Sequence, residues 1–80
     1  MTIQILGSGC PNCRNLEANA REAVKTLGIA ADFEKVTDMD RIVEMGVMRT
    51  PGLAVDGKVL KSGKVFSSEE ISAALSDHIG

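Results

Sequence analysis

The sequence predicts an α/β fold with the element order β-α-β-α-β-β-α, a four-stranded mixed sheet flanked by three helices. Three observations carry this prediction: an apolar opening segment that ends at Gly7, helical patterns that alternate with apolar runs, and an Asp56-Gly57 turn between two short apolar runs. The alternation predicts a parallel first pair of strands joined by a right-handed crossover, and the turn predicts an antiparallel pair. A chain of 80 residues is expected to form one domain, residues 1–80, with a small core.

The first half of the chain predicts a strand and a long helix. Ile3, Ile5 and Leu6 form the strand, and Pro11 suits the first turn of a helix that Gly28 ends. The opposite, solvated face includes a Glu17–Arg21 pair at i,i+4 spacing. The expected buried face repeats at helical spacing: Leu16, Ala20, Val24 and Leu27.

A weaker strand and a short helix are expected next. Residues 30–37 are less apolar than the first strand, which predicts a strand at an edge of the sheet. Asp38 can cap the short helix, which closes near Gly46. Its expected buried residues are Met39, Ile42 and Val43.

The last quarter of the chain predicts a hairpin and a helix. Asp56-Gly57 favours a tight turn between strands at 53–55 and 59–60. Ser67 and Glu70 form a capping box, and Phe66 is placed to pack on Ile71 across the helix start. The expected buried face of this helix is Ile71, Ala74, Leu75 and Ile79.

Composition excludes several classes of function. The net charge is −2, from 9 basic and 11 acidic residues, and no basic stripe or aromatic platform is available to nucleic acid. No apolar run has the length of a membrane span, and residues 1–6 lack a signal-peptide pattern. We therefore expect a cytoplasmic protein, in a reducing compartment where close cysteine pairs are more often catalytic or metal-binding than structural.

The chain has two cysteines, Cys10 and Cys13, and they lie at the junction of the first strand and the first helix. A helix N-terminus favours an anion, so the pKa of Cys10 is expected below the ~8.5 of a free thiol. Cys13 precedes Leu16 by three residues and should face the core. An exposed, activated thiol beside a shielded partner is what dithiol exchange requires.

Other uses of this segment are weaker. A disulfide closing so short a loop would stabilise the fold by only about 2 kcal/mol. A soft-metal carrier of the Cu(I) type remains an alternative, although such domains usually have Met at the position of Ser8 and a different element order. No metal ligands are assigned, and a nucleotide-binding loop would need glycine where Asn12 stands.

The C-P-N-C segment, together with Thr50-Pro51 ahead of the third strand, resembles the thioredoxin/glutaredoxin superfamily. Along nearly its whole length the chain is similar to small stand-alone thioredoxin-like redox proteins, which have a G-x-G-C-x-x-C loop and a P-G-L-A-V-D-G-type hairpin. The resemblance implies a thioredoxin fold and a monomeric protein-disulfide oxidoreductase. It implies no cofactor, because the redox-active group would be the Cys10–Cys13 disulfide of the chain itself.

The resemblance also implies roles for individual residues. Cys10 would be the nucleophile and Cys13 the resolving thiol. Pro51 would be a cis proline facing the pair, and the Thr50 backbone would bind a substrate peptide. The expected substrate-binding residues are Gly9, Pro11, Asn12, Thr50 and Pro51, with Gly7 allowing close backbone approach and Met48 lining the groove.

Some family features are missing from the chain. No buried acid beneath the cysteines can be assigned, and the glutathione signature of glutaredoxins is not matched by S-G-K-V-F-S-S after the hairpin. The expected electron donor is therefore a flavin-type thioredoxin reductase, and the expected substrates are protein disulfides.

Overall fold

Residues 1–7 and 11–79, which the computed structural model describes, form four strands and three helices in the predicted order. The strands are β1 (Thr2–Leu6), β2 (Asp32–Val36), β3 (Gly52–Val55) and β4 (Lys58–Ser62). The helices are α1 (Pro11–Leu27), α2 (Met39–Glu44) and α3 (Ser68–Ile79). The strand at 30–37 is thus shorter than expected, and the second hairpin strand is longer.

The sheet has the strand order β2-β1-β3-β4. β1 and β2 are parallel, joined by the α1 crossover, whereas β3 is antiparallel to both β1 and β4. The predicted parallel pair, the predicted hairpin and the edge position of β2 are all confirmed. Because β1 lies between β2 and β3, its carboxyl end adjoins residues from both neighbours.

The two faces of the sheet bury separate clusters, because successive side chains of a strand point to opposite faces. Ile3 and Ile5 of β1 belong to the larger cluster, which α1 and α3 cover. Leu6 belongs to the smaller cluster on the opposite face, with Ile42 of α2 and Val47. The long helices therefore pack on one face and the short helix on the other.

Helix α1 begins at Pro11 and ends before Gly28, as predicted, and Gly28 has a φ of 68°. The buried face of the helix is displaced slightly from the predicted face. Its buried residues are Cys13, Leu16, Ala20 and Ala23, whereas Val24 and Leu27, which were predicted to be buried, are only partly buried. The helix packs against both the sheet and α3, and the small side chains at 20 and 23 allow a close approach there.

The prediction for α2 is partly wrong. Asp38 caps the helix by accepting a hydrogen bond from the Asp40 amide at 2.9 Å, and Ile42 is buried as expected. Met39 and Val43 are instead 53% and 55% exposed. The helix has only six residues, and Val47 just after it fills the rest of the cluster.

The hairpin forms as predicted, and α3 does so except at Ala74, which is only partly buried, and at the end of the helix. Asp56 and Gly57 have φ values of 50° and 88°, the two left-handed positions that a type I′ turn needs. Phe66 and Ile71 pack in the same buried cluster. Ile79 is exposed because the last turn of α3 extends beyond that cluster, which ends with Leu75.

Candidate redox site

The predicted site residues at positions 9–13 differ in what the structure shows of them. Gly9 and Cys10 lie outside the described residues. Pro11 and Asn12 form the exposed first turn of α1. Cys13, the third residue of this helix, is only 5% exposed, so the prediction that it faces the core is confirmed.

Gly7 is the point at which the elements of the site meet. Its N–H donates a hydrogen bond to the Val36 carbonyl at 2.9 Å, which ties the end of β1 to β2. The Cys13 Sγ occupies the position that a side-chain Cβ would have at Gly7. That Cβ position is 3.7 Å from the Thr50 Cβ. The end of β1 therefore lies close to both the Cys13 sulfur and Thr50, which precedes β3.

The Thr50–Pro51 peptide bond is cis, as the resemblance implied. The register pairs Leu6 with Gly52, so Gly7 and Pro51, the next residues outward, lie side by side. Pro51 is buried, and its carbonyl accepts a hydrogen bond from the Gly63 N–H at 3.0 Å. Thr50 is half-buried, so the Thr50–Pro51 segment packs beside Gly7 at one side of the site.

A pocket of about 120 Å³ opens beside Cys13 on the β2 side. The lining residues come from the end of β1, the first turns of α1 and the end of β2: Ile5, Gly7, Cys13, Arg14, Glu17, Lys35 and Thr37. Cys13 therefore shares this pocket with the charged residues Arg14, Glu17 and Lys35.

Glu17 joins two elements at this pocket. Its carboxylate accepts a hydrogen bond from Arg21 Nε at 3.0 Å and lies 3.3 Å from Lys35 Nζ. Partial burial of Glu17, whose side chain is 16% exposed, would raise the pKa of the carboxyl. The hydrogen bonds and charges of Arg21 and Lys35 outweigh that effect and hold the pKa below its ordinary value.

Sequence reasoning missed Glu17 and Lys35 as neighbours of the cysteine. The Glu17–Arg21 pair is confirmed, but the same spacing placed Glu17 on a solvated face. Cys13 and Glu17 are four residues apart, so they are neighbours along the helix. That spacing was the available signal, whereas the contribution of Lys35 depends on how β2 pairs with β1.

The described residues around Cys13 supply a sulfur but no cluster of metal ligands. The buried Cys13 sulfur lies near the Thr50–Pro51 segment. Within the described ranges, no group of three or more His, Cys, Asp or Glu side chains is placed to hold a metal ion. Nor is any helix there long and apolar enough to cross a membrane.

Comparisons with known proteins agree with this geometry. Residues 1–76 match the family model described as a thioredoxin domain. A thioredoxin of Methanothermobacter thermautotrophicus is 59% identical over 76 residues, covering 95% of this chain and 99% of the relative. A thioredoxin of Methanocaldococcus jannaschii is 42% identical over 79 residues, covering 99% of this chain and 91% of the relative. A solved structure titled as that of a malarial protein is 16% identical, with a TM-score of 0.66 over 99% of this chain and 97% of its own, which supports the fold alone.

Proposed function

Because this chain belongs to the thioredoxin domain family and is a thiol–disulfide oxidoreductase, we propose that its Cys10–Cys13 pair reduces protein disulfides by dithiol exchange. The observation that carries the proposal is the burial of Cys13 against Gly7, at the point where the Thr50–Pro51 segment also meets the strand. A resolving thiol must be shielded from substrate yet close to the nucleophile. The Cys13 side chain is buried, and it lies only three residues after Cys10 in the sequence.

The proposed reaction has two exchange steps. The Cys10 thiolate attacks one sulfur of the substrate disulfide, forms a mixed disulfide and releases the other substrate sulfur as a thiolate. Cys13 then loses its proton and attacks the Cys10 sulfur, which forms the Cys10–Cys13 disulfide and releases the second substrate thiolate. Two electrons pass to the substrate, and its two thiolates take up protons from water.

The substrate segment is proposed to lie along Thr50. No backbone hydrogen bond joins Thr50 to another residue within 1–7 and 11–79, so its peptide groups can pair with an extended substrate chain. Met48, two residues earlier, is 84% exposed and supplies an apolar contact at the rim of the same groove. Gly9, Pro11 and Asn12 complete the proposed contact surface from the other side.

The electron donor is proposed to be a flavin-type thioredoxin reductase. The resemblance to thioredoxins and the missing glutaredoxin signature both favour this donor over glutathione. We also propose that the protein works as a monomer in the cytoplasm, where a reducing environment supports the reductase direction. Size-exclusion chromatography tests the monomer, and turnover with a thioredoxin reductase and NADPH, compared with glutathione, glutathione reductase and NADPH, tests the donor.

Insulin reduction coupled to thiol counting tests the function directly. The reduced protein is expected to precipitate insulin chains and to lose two thiols per chain in the process. Cu(I) titration on the same sample tests the carrier alternative. Failure to reduce insulin or another protein disulfide, combined with tight binding of one Cu(I) ion per chain, would replace the proposal with metal carriage.

Trapping of the intermediate tests the two cysteine roles. A Cys13→Ser variant is expected to accumulate a mixed disulfide through Cys10, because the second step needs the Cys13 thiol. The matched Cys10→Ser variant should trap much less, since its remaining sulfur is buried. Mass spectrometry of non-reduced adducts distinguishes the two variants, and equal trapping by both would contradict the assignment.

A further inference from the structure

We propose that Gly7 is a positioning residue of the redox pair: its missing side chain is the space that holds the Cys13 Sγ. This inference rests on the proposed function for its redox consequence, but its structural part can be tested separately. The contact lies at the carboxyl end of β1, where Gly7 is close to Cys13 of α1 and to Thr50 in the segment before β3.

The backbone itself does not require glycine at this position. Gly28, Gly46, Gly57 and Gly63 have positive φ values, but Gly7 does not belong to this group. An alanine could therefore adopt the backbone conformation of Gly7 without strain. The glycine must be explained by the space around it.

That space is occupied by sulfur. A Cβ built at Gly7 would overlap the Cys13 Sγ, whereas its next neighbours, the Cys13 Cβ at 3.6 Å and the Thr50 Cβ at 3.7 Å, are at ordinary contact distances. The sulfur is thus the one nearby atom that an alanine at this position would have to displace.

The sulfur should move before the strand does. The Gly7 N–H donates a hydrogen bond to the Val36 carbonyl of β2, and the preceding residue, Leu6, pairs with Gly52 of β3. The Cys13 Sγ is a side-chain atom one bond beyond the Cβ, and Cys13 also lines the pocket of about 120 Å³. A methyl group at Gly7 is therefore expected to displace the Cys13 sulfur rather than the strand.

Such a movement should favour the dithiol over the disulfide. A disulfide fixes both sulfurs within a narrow geometry, whereas a thiol can rotate to another staggered position. If the observed position of the Cys13 Sγ is the one used for bonding to Cys10, a methyl group at Gly7 disfavours the oxidised form. Gly7 then helps to set the reduction potential of the pair.

The first test is the exchange equilibrium of Gly7→Ala with dithiothreitol. In this reaction the protein disulfide takes two electrons and two protons from the reagent, which becomes a cyclic disulfide. We expect the equilibrium constant to move at least tenfold towards the protein dithiol, which corresponds to about 30 mV. A smaller change, or a change towards the disulfide, overturns the proposal.

Gly52→Ala is the matched control for packing damage. Gly52 also has an ordinary φ and lies opposite Leu6, and a Cβ there would meet Leu6 Cδ1 and Val47 Cγ1 at 3.4 Å but no sulfur. This variant should lower the urea midpoint while leaving the exchange constant within twofold of the wild type. An equal shift in both glycine variants would attribute the effect to general loosening and overturn the proposal.

A double-mutant cycle tests the contact without any redox chemistry. Gly7→Ala should lower the urea midpoint of the reduced wild-type chain but leave that of a Cys13→Ala chain nearly unchanged, because no sulfur remains to be displaced. The same loss of stability in both backgrounds would overturn the proposed contact. If the wild type reduces no disulfide, the proposed function fails, but this cycle still decides whether Gly7 positions Cys13.

Discussion

At the scale of single residues, the site combines the buried Cys13 sulfur with the Glu17 carboxylate, which forms ion pairs with two cations. Glu17 receives Arg21 from its own helix and Lys35 from β2. The i,i+4 spacing predicted the first contact because it depends only on helix geometry. The second contact could not be predicted, since it requires knowing that β2 lies beside the start of α1.

Glu17→Gln tests the energetic role of this cluster. The folded-state pKa of Glu17 is below the ordinary value of 4.5, so its contribution to stability is present above that pH and is lost as the pH falls through the folded pKa. We expect the variant to be less stable by about 0.5–1 kcal/mol at neutral pH. The difference should shrink towards zero in acid.

Urea unfolding across the acidic range measures this difference. Glu22→Gln is the control, because Glu22 is exposed on the same helix and, within the described residues, joins none of the ion pairs. A pH-independent difference for Glu17→Gln would contradict the pKa direction. An equal effect of both substitutions would attribute it to the net charge of the helix.

At the scale of elements, local sequence signals were reliable where the cause is local. The capping box is formed in both directions: Ser67 Oγ accepts a hydrogen bond from the Glu70 N–H at 3.1 Å, and Glu70 Oε1 accepts one from the Ser67 N–H at 3.3 Å. The Ser67 backbone bond is the largest of the effects that lower the pKa of the Glu70 carboxyl, ahead of the nearby lysine charges. Residues three apart at a helix start can satisfy each other without help from the rest of the chain.

Ser67→Ala is expected to destabilise the protein by about 1 kcal/mol, because an N-terminal amide of α3 loses its acceptor. Thermal and urea unfolding measure the change. Ser76→Ala is the control on the same helix, since Ser76 is exposed in its interior and alanine is the better helix former there. A cost for Ser76→Ala as large as that for Ser67→Ala would refute the capping role.

At the scale of the whole molecule, stability depends on the cluster between the sheet, α1 and α3. Ile71 and Leu75 of α3 are fully buried in it, whereas Ile79 of the same helix is 53% exposed. The helical pattern predicted the same burial for all three positions. The size of the sheet and the position of α1 decide where the covered surface ends.

Ile71→Ala and Ile79→Ala form a matched pair for this point. The first should cost about 2–5 kcal/mol, a large part of the roughly 4–12 kcal/mol expected for a chain of this length. The second should change stability by less than about 0.5 kcal/mol. Urea unfolding of both variants checks this, and similar costs would mean that the end of α3 is packed in solution.

The sequence by itself determined the element order, the bounds of α1, the hairpin turn and the inward direction of Cys13. Each depends on neighbours within about four residues, on proline and glycine conformations, or on the alternation of strand side chains. Only the tertiary structure decided that Met39 and Val43 are exposed and that Lys35 lines the pocket beside Cys13. It also decided that the Cys13 sulfur occupies the place of a side chain at Gly7. Lys35 is far from Cys13 in the chain, and Gly7 and Cys13 belong to different parts of the fold, so these distances are set by how the helices and strands pack.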